Sequence, residues 1–411
     1  MSSPGVLVLG NYSQTVTVIR SLGHAGFPVV LGTSPEHGRV FTWYSRYTSE
    51  IWLHPSIKQS ETEFIDALAA FLEQRPDIGH VFPVWEAQVS CLIRHRDRLP
   101  PHLVLVMAEP AAVTACLDKF RLYEVAASLG IPHMSPHKVT GLDMLLSLAD
   151  SLGYPCVVKN NDSFSGLFGK KAVIAGTREE LLKSVPAWPE RTGFLVLQKF
   201  ASGFRHNCHF MADRGRLTSY FEQRVLRTDM PDGTGYGVES LSLAPVPRHR
   251  EYTAALIRAL EYSGPGCAQF LVDDANATVT FLELNPRLDA TCAMPLYCGY
   301  DFPLMAMRYA VFRQGGSSGF EPNDKPYPAG KRGVCLWGDL NGWMRELRKG
   351  GLGWRKSLAW VGRAMRMSWR GDVDYIWSWT DPLPGLFMYA ELGRRMLRYF
   401  FRTITGQFRS D

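Results

Sequence analysis

A short segment near the middle of the second half of the chain carries side chains that could bind a metal ion and act on a phosphate. It reads Phe-Leu-Glu-Leu-Asn-Pro-Arg, residues 281–287. On a strand, Phe281, Glu283 and Asn285 are expected to share one face, with the two leucines on the other. A carboxylate and an amide oxygen side by side are hard ligands that Mg²⁺ accepts. Arg287 follows with a guanidinium suited to phosphate oxygens. The alternative is an edge strand with an incidental Glu and a salt-bridged Arg.

The residues before this segment predict the other half of a hairpin. Cys267–Val272 has a strand pattern, Asp273–Asn276 a turn pattern, and Thr278–Leu284 a second strand pattern. Gln269 and Phe270 therefore lie on the partner strand of this hairpin. Pro286 cannot donate to a ladder, so we expect the returning strand to end there.

The start of the chain predicts a parallel sheet. Val6–Leu9 is an apolar run that ends at Gly10, Thr15–Leu22 has a helical pattern, and Pro28–Leu31 is the next strand. This β-α-β order favours an α/β unit with helices on both faces of a parallel sheet. A full G-x-G-x-x-G is missing after the first strand, so we predict no dinucleotide site there. We assign residues 1–110 to this N-terminal domain.

A second domain, residues 111–315, is predicted to combine helices with antiparallel sheets. Cys156–Lys159 is a strand that ends in a lysine, and a strand resumes at Ala172. Between them, residues 160–171 are rich in Gly, Ser and Lys. Such a loop could close over phosphates through its backbone N–H groups. The alternative is an exposed hairpin loop.

In this order, the elements over about residues 5–315 resemble the ATP-grasp superfamily, and within it the carboxylate–amine ligases. The motifs that carry the resemblance are Asp118-Lys119 before a helix that ends in Gly-Ile-Pro, Val158-Lys159 before the Gly-rich loop, Gln198-Lys199-Phe200 followed by Ser202-Gly203, and Gln269 fourteen residues before Glu283. The last step is similar to that of carbamoyl phosphate synthetase, where Gln, Glu and Asn hold the metals.

The resemblance implies a nucleotide site. Lys119 and Lys159 would hold ATP phosphates as point charges. Gln198, Lys199 and Phe200 would form the hinge beside the adenine, the last two through backbone groups. ATP is therefore the implied cosubstrate.

The resemblance also implies the metal site and the chemistry. Gln269, Glu283 and Asn285 would coordinate Mg²⁺, with Mn²⁺ as an alternative metal. Arg287 would stabilise the γ-phosphoryl group as it moves to a substrate carboxylate. The product would be an acyl phosphate, which an amine attacks to form an amide.

Two features depart from the family or leave the substrate open. Where the family often has a Glu that holds the ribose hydroxyls, this chain has Arg205, and Asn207 could substitute. Arg224 and Arg227 precede the metal hairpin and could hold a substrate carboxylate bidentately. The alternative is that both are surface arginines beside a mobile loop.

The expected function is thus an ATP-dependent carboxylate–amine ligase acting on a small-molecule carboxylate and amine. Two alternatives stay open. One is an ATP-grasp phosphotransferase whose acceptor is not a carboxylate. The other is a nucleotide-binding or membrane-associated scaffold without catalysis. The identity of the acid and the amine, and whether the chain forms homo-oligomers, also stay open.

The composition is that of a globular protein, with 411 residues, 46% of them hydrophobic and 20% charged. No apolar run is long enough for a transmembrane helix, and the N-terminal residues lack a signal-peptide pattern. The eight cysteines include no C-x-x-C pair, which favours reduced thiols over disulfides or a zinc site. Cys292 and Cys298, near the metal segment, are expected to line the core or the pocket. These features favour a cytoplasmic protein.

The C-terminal segment, residues 316–411, is predicted to be a linker and a basic, Trp-rich cap. Residues 330–411 contain 15 Lys and Arg against seven Asp and Glu, so the formal charge of +6 comes from this segment. Seven of the eleven Trp lie after residue 330. Basic helices with Trp and Phe fit a helical cap on the core, with the cations in water. They also fit peripheral contact with an anionic membrane at its inner face. Nucleic-acid binding is a weaker alternative, because no recognised motif supports it.

Overall fold

A computed structural model describes residues 4–161, 167–168, 170, 172–189, 192–315 and 320–404. These residues form one parallel sheet and two sheets that are almost wholly antiparallel, with helices packed on them. The predicted α/β class, with an N-terminal parallel unit followed by antiparallel sheets, is confirmed.

The N-terminal unit is a five-stranded parallel sheet in the order β3-β2-β1-β4-β5. The central strand β1 is buried on both faces: Val6 and Val8 join one core, and Leu7 and Leu9 join another. This explains the continuous apolar run in the sequence. The elements are β1 (Gly5–Leu9), α1 (Ser13–His24), β2 (Val29–Thr33), β3 (Thr48–Leu53), α2 (Glu61–Gln74), β4 (Ile78–Pro83), α3 (Glu86–Arg94) and β5 (Val104–Leu105).

A small antiparallel sheet follows, in the order β6-β9-β7-β8. Its buried side chains, such as Val158 on β7 and Leu197 on β9, pack with Leu145 of α6 in a separate core. Strands β7 and β8 pair as the sequence predicts for a hairpin. The elements are α4 (Pro110–Leu117), α5 (Lys119–Ser128), β6 (His137–Val139), α6 (Leu142–Leu152), β7 (Cys156–Asn160), β8 (Val173–Ala175), α7 (Arg178–Ser184) and β9 (Leu195–Lys199).

The largest sheet has seven strands in the order β14-β13-β10-β11-β12-β15-β16. Strand β14, which carries the metal segment, lies at its edge and ends at Asn285, directly before Pro286, as predicted. The elements up to residue 315 are β10 (Phe204–Asp213), β11 (Arg216–Thr228), β12 (Gly237–Leu243), α8 (Pro247–Ala259), β13 (Gly264–Asp273), β14 (Thr278–Asn285), α9 (Ala293–Tyr297) and α10 (Phe302–Arg313).

The C-terminal segment is built into the same body. Strand β15 pairs antiparallel with β12 and so extends the largest sheet. Tyr375, Ile376 and Met388 are buried in the core that also contains Val6 and Met211. The elements are β15 (Arg332–Val334), α11 (Leu336–Arg348), α12 (Trp354–Arg370), β16 (Val373–Asp374) and α13 (Leu383–Ile404). The described part of this segment therefore packs on the core. Contact of its outer surface with a membrane stays a prediction.

One carboxylate fixes the C-terminal segment to the N-terminal unit. Asp381 is 1% exposed and accepts from Arg20 Nε (2.9 Å), Ser45 Oγ (2.7 Å) and the Arg46 backbone N–H (2.8 Å). A buried carboxylate with three donors is stable because each lost hydrogen bond to water is replaced.

The cysteines behave as the sequence indicates. All eight lie in the described part of the chain, and all are buried and free. Burial raises the pKa of Cys292 to about 12 and that of Cys298 to about 11. Since the thiolate is the nucleophilic form, these two thiols are core residues and not nucleophiles. A search of the described helices finds none that is both long and apolar enough to span a bilayer.

A buried ionic cluster lies under the largest sheet. Glu222 is fully buried, and its Oε1 lies 2.9 Å from His206 Nδ1 and 2.7 Å from His249 Nδ1. Tyr220 and the Val246 backbone N–H donate to its other oxygen at 2.9 and 3.0 Å. Burial alone would raise the pKa of Glu222, but the hydrogen bonds from the two histidines outweigh it and lower the pKa to about 2.

We expect Glu222→Gln to lower the free energy of unfolding at pH 7 by about 3 kcal/mol, because Gln cannot carry the charge that this cluster stabilises. The folded-state pKa lies below the ordinary value of 4.5. The contribution is therefore complete above about pH 4.5 and is lost as the pH falls towards 2. Urea unfolding measured from pH 7 downwards checks this. The control Glu124→Gln, at an exposed position, should behave as wild type. If wild type and Glu222→Gln lost the same free energy of unfolding as the pH falls, the stabilising charge could not be assigned to Glu222.

Candidate nucleotide and metal site

The metal segment is positioned by the pairing of β13 with β14. Gln269 and Glu283 are direct cross-strand partners, so their side chains lie close together, as the fourteen-residue step predicts. The register shifts between Gln269 and Phe270, because Phe270 pairs with Phe281. Leu282 is the extra residue of this bulge.

The bulge makes one prediction wrong. Phe281 does not share a face with Glu283: it is fully buried and packs with Phe270 and Leu284 in the core. Leu282 lies beside Glu283 in the wall of a cavity. A strict period of two fails here because two residues of β14 oppose one of β13.

The predicted ligands contact one another and a second carboxylate. Asn285 Nδ2 donates to Glu283 Oε1 at 3.1 Å, and Gln269 Nε2 donates to Asp289 Oδ2 at 3.4 Å. Asn207, considered from the sequence for the ribose, instead donates to Asp289 Oδ1 at 3.0 Å. Glu283 is therefore not the only anion near the predicted ligands. No local sequence signal connects Asp289 with these ligands.

Arg287 lies among three carboxylates. Its Nη2 is 3.1 Å from Glu86 Oε1, and its Nη1 donates to the Leu288 carbonyl at 3.1 Å. Burial would lower the pKa of Arg287, but the charges of Glu86, Asp289 and Glu283 raise it above its ordinary value. Glu86 begins α3 of the N-terminal unit, 201 residues away, so no local sequence signal could have found this contact.

Asp289 is one of the three carboxylates around Arg287, and its own pKa is also shifted. Burial raises the pKa of Asp289, but nearby His209, the Thr291 hydroxyl and the charge of Arg287 outweigh it, so the pKa lies below its ordinary value. Asp289 is thus kept ionised although its burial alone would favour the neutral form.

A cavity of about 330 Å³ adjoins the cluster and collects most of the predicted nucleotide residues. Six of the nine predicted site residues line it: Lys119, Lys159, Gln198, Phe200, Gln269 and Glu283. One wall is apolar and is formed by side chains from both antiparallel sheets, including Val157, Ile174, Leu271 and Leu282. A pocket of this size with an apolar wall and a few convergent charges is typical of small-ligand sites. Asn285 and Arg287 do not line the cavity, but Asn285 contacts Glu283, which does. Lys199 is exposed and does not line the cavity either.

The residues predicted to hold the phosphates and the adenine already make hydrogen bonds within the chain. Lys119 is buried, and its Nζ donates to the Asn160 carbonyl at 3.1 Å and to that of Asn161. Gln198 Nε2 donates to the Met134 carbonyl at 2.8 Å. The Phe200 N–H donates to the Pro155 carbonyl at 3.1 Å, so its amide is already engaged. The backbone roles predicted for Lys199 and Phe200 stay predictions.

The Gly-rich loop predicted as a phosphate flap lies mostly outside the described residues. Asn160 and Ala172, at its two ends, both line the cavity. Across the cavity, a different loop lines the wall with Asp232, Gly233 and Gly235. Arg205 also lines the wall and donates from Nη1 to the Gly235 carbonyl at 3.1 Å.

Both arginines that the sequence offered for a substrate carboxylate are paired with carboxylates of the chain itself. Arg224 Nη2 is 2.6 Å from Asp274, and its guanidinium lies over the Phe204 ring. Arg227 lines the cavity, but its two terminal nitrogens bind both oxygens of Asp339 on α11, one of them at 2.7 Å. Arg227 thus holds a carboxylate bidentately, as predicted from its chemistry, and that carboxylate belongs to the C-terminal segment.

A second cavity, of about 260 Å³, opens at the carboxyl ends of the parallel strands. Its lining includes Tyr12 after β1, Thr33 and Ser34 at the end of β2, and Trp85 after β4. The hydroxyls of Thr33 and Ser34 are buried, and the described residues offer them no hydrogen-bond partner. Trp85 directly precedes Glu86, the partner of Arg287, so the second cavity adjoins the arginine side of the cluster.

Comparisons with known proteins agree with this geometry. Residues 240–314 match the family model of the carbamoyl-phosphate synthase L chain, ATP binding domain. The biotin carboxylase domain of Hydrogenobacter thermophilus 2-oxoglutarate carboxylase, solved with MgADP and bicarbonate, superposes with a TM-score of 0.61 at 16% identity, covering 81% of this chain and 74% of that one. These comparisons support an ATP-grasp domain of the carbamoyl phosphate synthase-like type in this chain.

Other relatives extend this likeness. The L-amino acid ligase of Bacillus licheniformis superposes with a TM-score of 0.57 at 13% identity, covering 78% of each chain. The carbamoyl phosphate synthase large chain of an Arthrobacter strain is 24% identical over 305 residues, and the putative urea carboxylase of Emericella nidulans is 24% identical over 250. These alignments cover 65% and 55% of this chain but only 27% and 19% of those relatives. At such identities the solved structures establish the fold alone.

We expect Asp339→Asn to lower the free energy of unfolding by about 3 kcal/mol, because it removes the buried anion that Arg227 binds through both terminal nitrogens. Asp339 is also the acceptor of the Trp360 indole N–H. Chemical denaturation measures the change. The matched control is Asp324→Asn, which breaks the exposed pair with Arg250 and should cost less than about 1 kcal/mol. Equal effects of the two variants would show that the Arg227 pair is not a structural contact.

Proposed function

We propose that this chain is an ATP- and Mg²⁺-dependent ligase that joins a carboxylate to an amine through an acyl phosphate. The observation that carries the proposal is the pairing of Gln269 with Glu283 at the end of a cavity that also contains two lysines. Asn285 and Arg287 adjoin that pair. A pure nucleotide-binding module has no need of oxygen ligands and a buried arginine on the same strand end.

The described residues fit ATP and a divalent cation. The apolar wall suits a base, and Lys119, Lys159 and Arg205 supply positive charge for phosphates. Glu283, Asp289 and Glu86 lie near Arg287, and Arg205 lies near Asp289, so three carboxylates face two guanidinium groups and leave an excess of negative charge. A bound Mg²⁺ would offset this excess, and it would neutralise charge on the phosphate oxygens during transfer. Mn²⁺, which also prefers oxygen ligands, is an alternative.

The reaction then follows from the residues of the chain. The two lysines hold the phosphates, and the acceptor carboxylate oxygen attacks the γ-phosphorus while the bond to the ADP oxygen breaks. Arg287 stabilises the charge on the transferring group because it is held rigidly by Glu86 and the Leu288 carbonyl. The amine then attacks the acyl carbon, phosphate leaves, and the amine proton passes to solvent or phosphate.

The second cavity supports an assignment for the acceptor substrate. In open parallel sheets, ligands bind beyond the carboxyl ends of the strands where the strand order reverses, here between β1 and β4. The hydroxyls of Thr33 and Ser34 supply hydrogen bonds for a small polar molecule, and the Trp85 ring supplies an apolar surface. We assign the amine or the carboxylate substrate to this cavity.

We expect Glu283→Gln to reduce ATP turnover at least about 100-fold, because it removes an anionic metal ligand and keeps the shape of the side chain. The free energy of unfolding should change by less than about 1 kcal/mol, because Glu283 is only partly buried. Turnover is measured as ADP release from MgATP with a library of small carboxylates, with and without amines. The control Glu251→Gln, at an exposed position of α8, should retain full activity. A fully active Glu283→Gln enzyme would refute the metal assignment.

Hydroxylamine separates the ligase from the phosphotransferase, because it traps an acyl phosphate as a hydroxamate. ADP release that requires one acid and one amine, with a hydroxamate in the absence of the amine, supports the ligase. ADP release with an acceptor that has no carboxylate would replace it by a phosphotransferase.

We expect Thr33→Val to raise the KM of one of the two acceptor substrates about 10-fold and to leave the KM of ATP unchanged. Valine has nearly the same volume but no hydroxyl, so removing an unpaired buried hydroxyl should not destabilise the fold. Steady-state kinetics on the substrate pair found in the library checks the effect. The control Thr140→Val, at an exposed position, should leave every KM unchanged. An unchanged KM for both acceptors in Thr33→Val would exclude the second cavity as their site.

A further inference from the structure

Helix α12 carries a row of exposed apolar side chains. Trp354, Leu358, Met365 and Trp369 follow one another at intervals of four, seven and four residues, which places them on one side of the helix. They are 69%, 65%, 54% and 91% exposed. A different side of the same helix packs on the core through Ala364, which is 2% exposed. The side chains of this row therefore do not contribute to the packing of the helix on the core.

The row borders a groove that extends this apolar surface to α13. The groove has a volume of about 840 Å³, and Met365 and Trp369 line it together with Trp377, Trp379 and Leu386. Trp379 is 86% exposed. On α13, two further exposed side chains follow Leu386 after three and four turns: Leu397 and Phe401. We name the docking face by its residues: Trp354, Leu358, Met365, Trp369, Trp379, Leu386, Leu397 and Phe401.

Positive charge follows the apolar row closely. Arg355, Arg366 and Arg370 each come one residue after a member of the row, so they form an adjacent exposed row on α12. The helix contains five Lys and Arg and no Asp or Glu. Helix α13 contains four Arg and one Glu. The docking face is thus apolar with a cationic border.

We propose that the docking face binds the surface of an anionic lipid bilayer. Exposed Trp and Leu side chains would enter the region between headgroups and acyl chains, where amphipathic rings are most stable. The adjacent arginines would contact lipid phosphates. The cationic border complements an anionic surface, and the area, spread over two helices and a groove, suits a broad and fluid surface.

The proposal goes beyond the ligase function and connects with it through the inner side of α12. Trp360 donates to Asp339 at 2.6 Å, and Arg363 lies 3.1 Å from Glu239. Asp339 and Glu239 both pair with Arg227, which lines the nucleotide cavity. Bilayer contact would therefore fix the orientation of the active-site cavity relative to the lipid surface.

Flotation of the full chain with lipid vesicles tests the proposal. We expect the chain to float with vesicles that contain phosphatidylglycerol, to stay behind with vesicles of phosphatidylcholine alone, and to be released by salt. The double variant Arg366→Glu/Arg370→Glu should lower the bound fraction about 10-fold or more. The control Arg216→Glu/Arg248→Glu makes the same change of net charge on exposed residues elsewhere and should float as wild type.

A second variant tests the apolar part. Trp369→Ser/Trp379→Ser removes two highly exposed rings, so folding and ADP release without vesicles should be unchanged while flotation is lost. Failure of wild type to float with either kind of vesicle would overturn the proposal. So would equal loss of flotation in the two charge variants, since binding would then depend on net charge alone. A dimer in lipid-free solution that the Trp variant dissociates would instead assign the face to a second copy of the chain.

Discussion

The site depends on the register of two strands, β13 and β14. The bulge between Gln269 and Phe270 turns Phe281 into the core and leaves Glu283 opposite Gln269 at the cavity. A regular pairing would have placed either a phenylalanine beside the ligands or a carboxylate in the core.

Buried charges around that strand stabilise one another. Arg287 would be costly to bury alone, and so would Glu86 or Asp289, because each ion loses its hydration. Together they exchange that hydration for ion pairs and hydrogen bonds. This interdependence also joins two units of the fold, since Glu86 begins a helix of the N-terminal unit and Arg287 lies two residues after the last strand of the antiparallel hairpin.

The same principle attaches the C-terminal segment to the site. Arg345 of α11 contacts the carbonyl of Asp229 at 2.6 Å, at the start of the loop that lines the cavity. Glu239, on β12, lies near Arg227 and is paired with Arg363 and Arg332. The C-terminal helices thus contact the wall of the nucleotide cavity from outside, through Arg227 and Asp229, although none of their described residues lines it. They lie outside the residues on which the resemblance was recognised.

Local pattern was enough to predict most strands, and the resemblance to the ATP-grasp superfamily supplied most of the residues expected around the cavity. Runs such as Val6–Leu9 are buried on both faces, so their periodicity is lost but their composition is unmistakable. Gln269 and Glu283 could be matched because a hairpin of fixed length relates them. The position of Phe281 could not be predicted, because a bulge depends on packing between two strands and not on the sequence of one.

Contacts between distant segments were beyond any local argument. Arg227 was offered from the sequence for a substrate carboxylate, but the carboxylate that it binds is that of Asp339, 112 residues further along the chain. Arg20 and Asp381 are 361 residues apart. In each case the sequence supplies the chemistry of the side chain, and only the fold supplies the partner. This is why the same basic C-terminal segment was compatible with a cap, a membrane and a nucleic acid.

The structure helps to choose among those alternatives, because the two sides of α12 have different surroundings. One side of this helix packs on the core and contacts Asp339 and Glu239 through Trp360 and Arg363. A cap that only covered the core would need nothing further from the helix, and burying each large apolar side chain would gain about 1.5–3 kcal/mol relative to leaving it in water. Trp369 and Trp379 instead stand almost fully in solvent, beside arginines. Packing therefore accounts for the inner side of α12, and the outer side requires a separate physical explanation, which an anionic bilayer supplies.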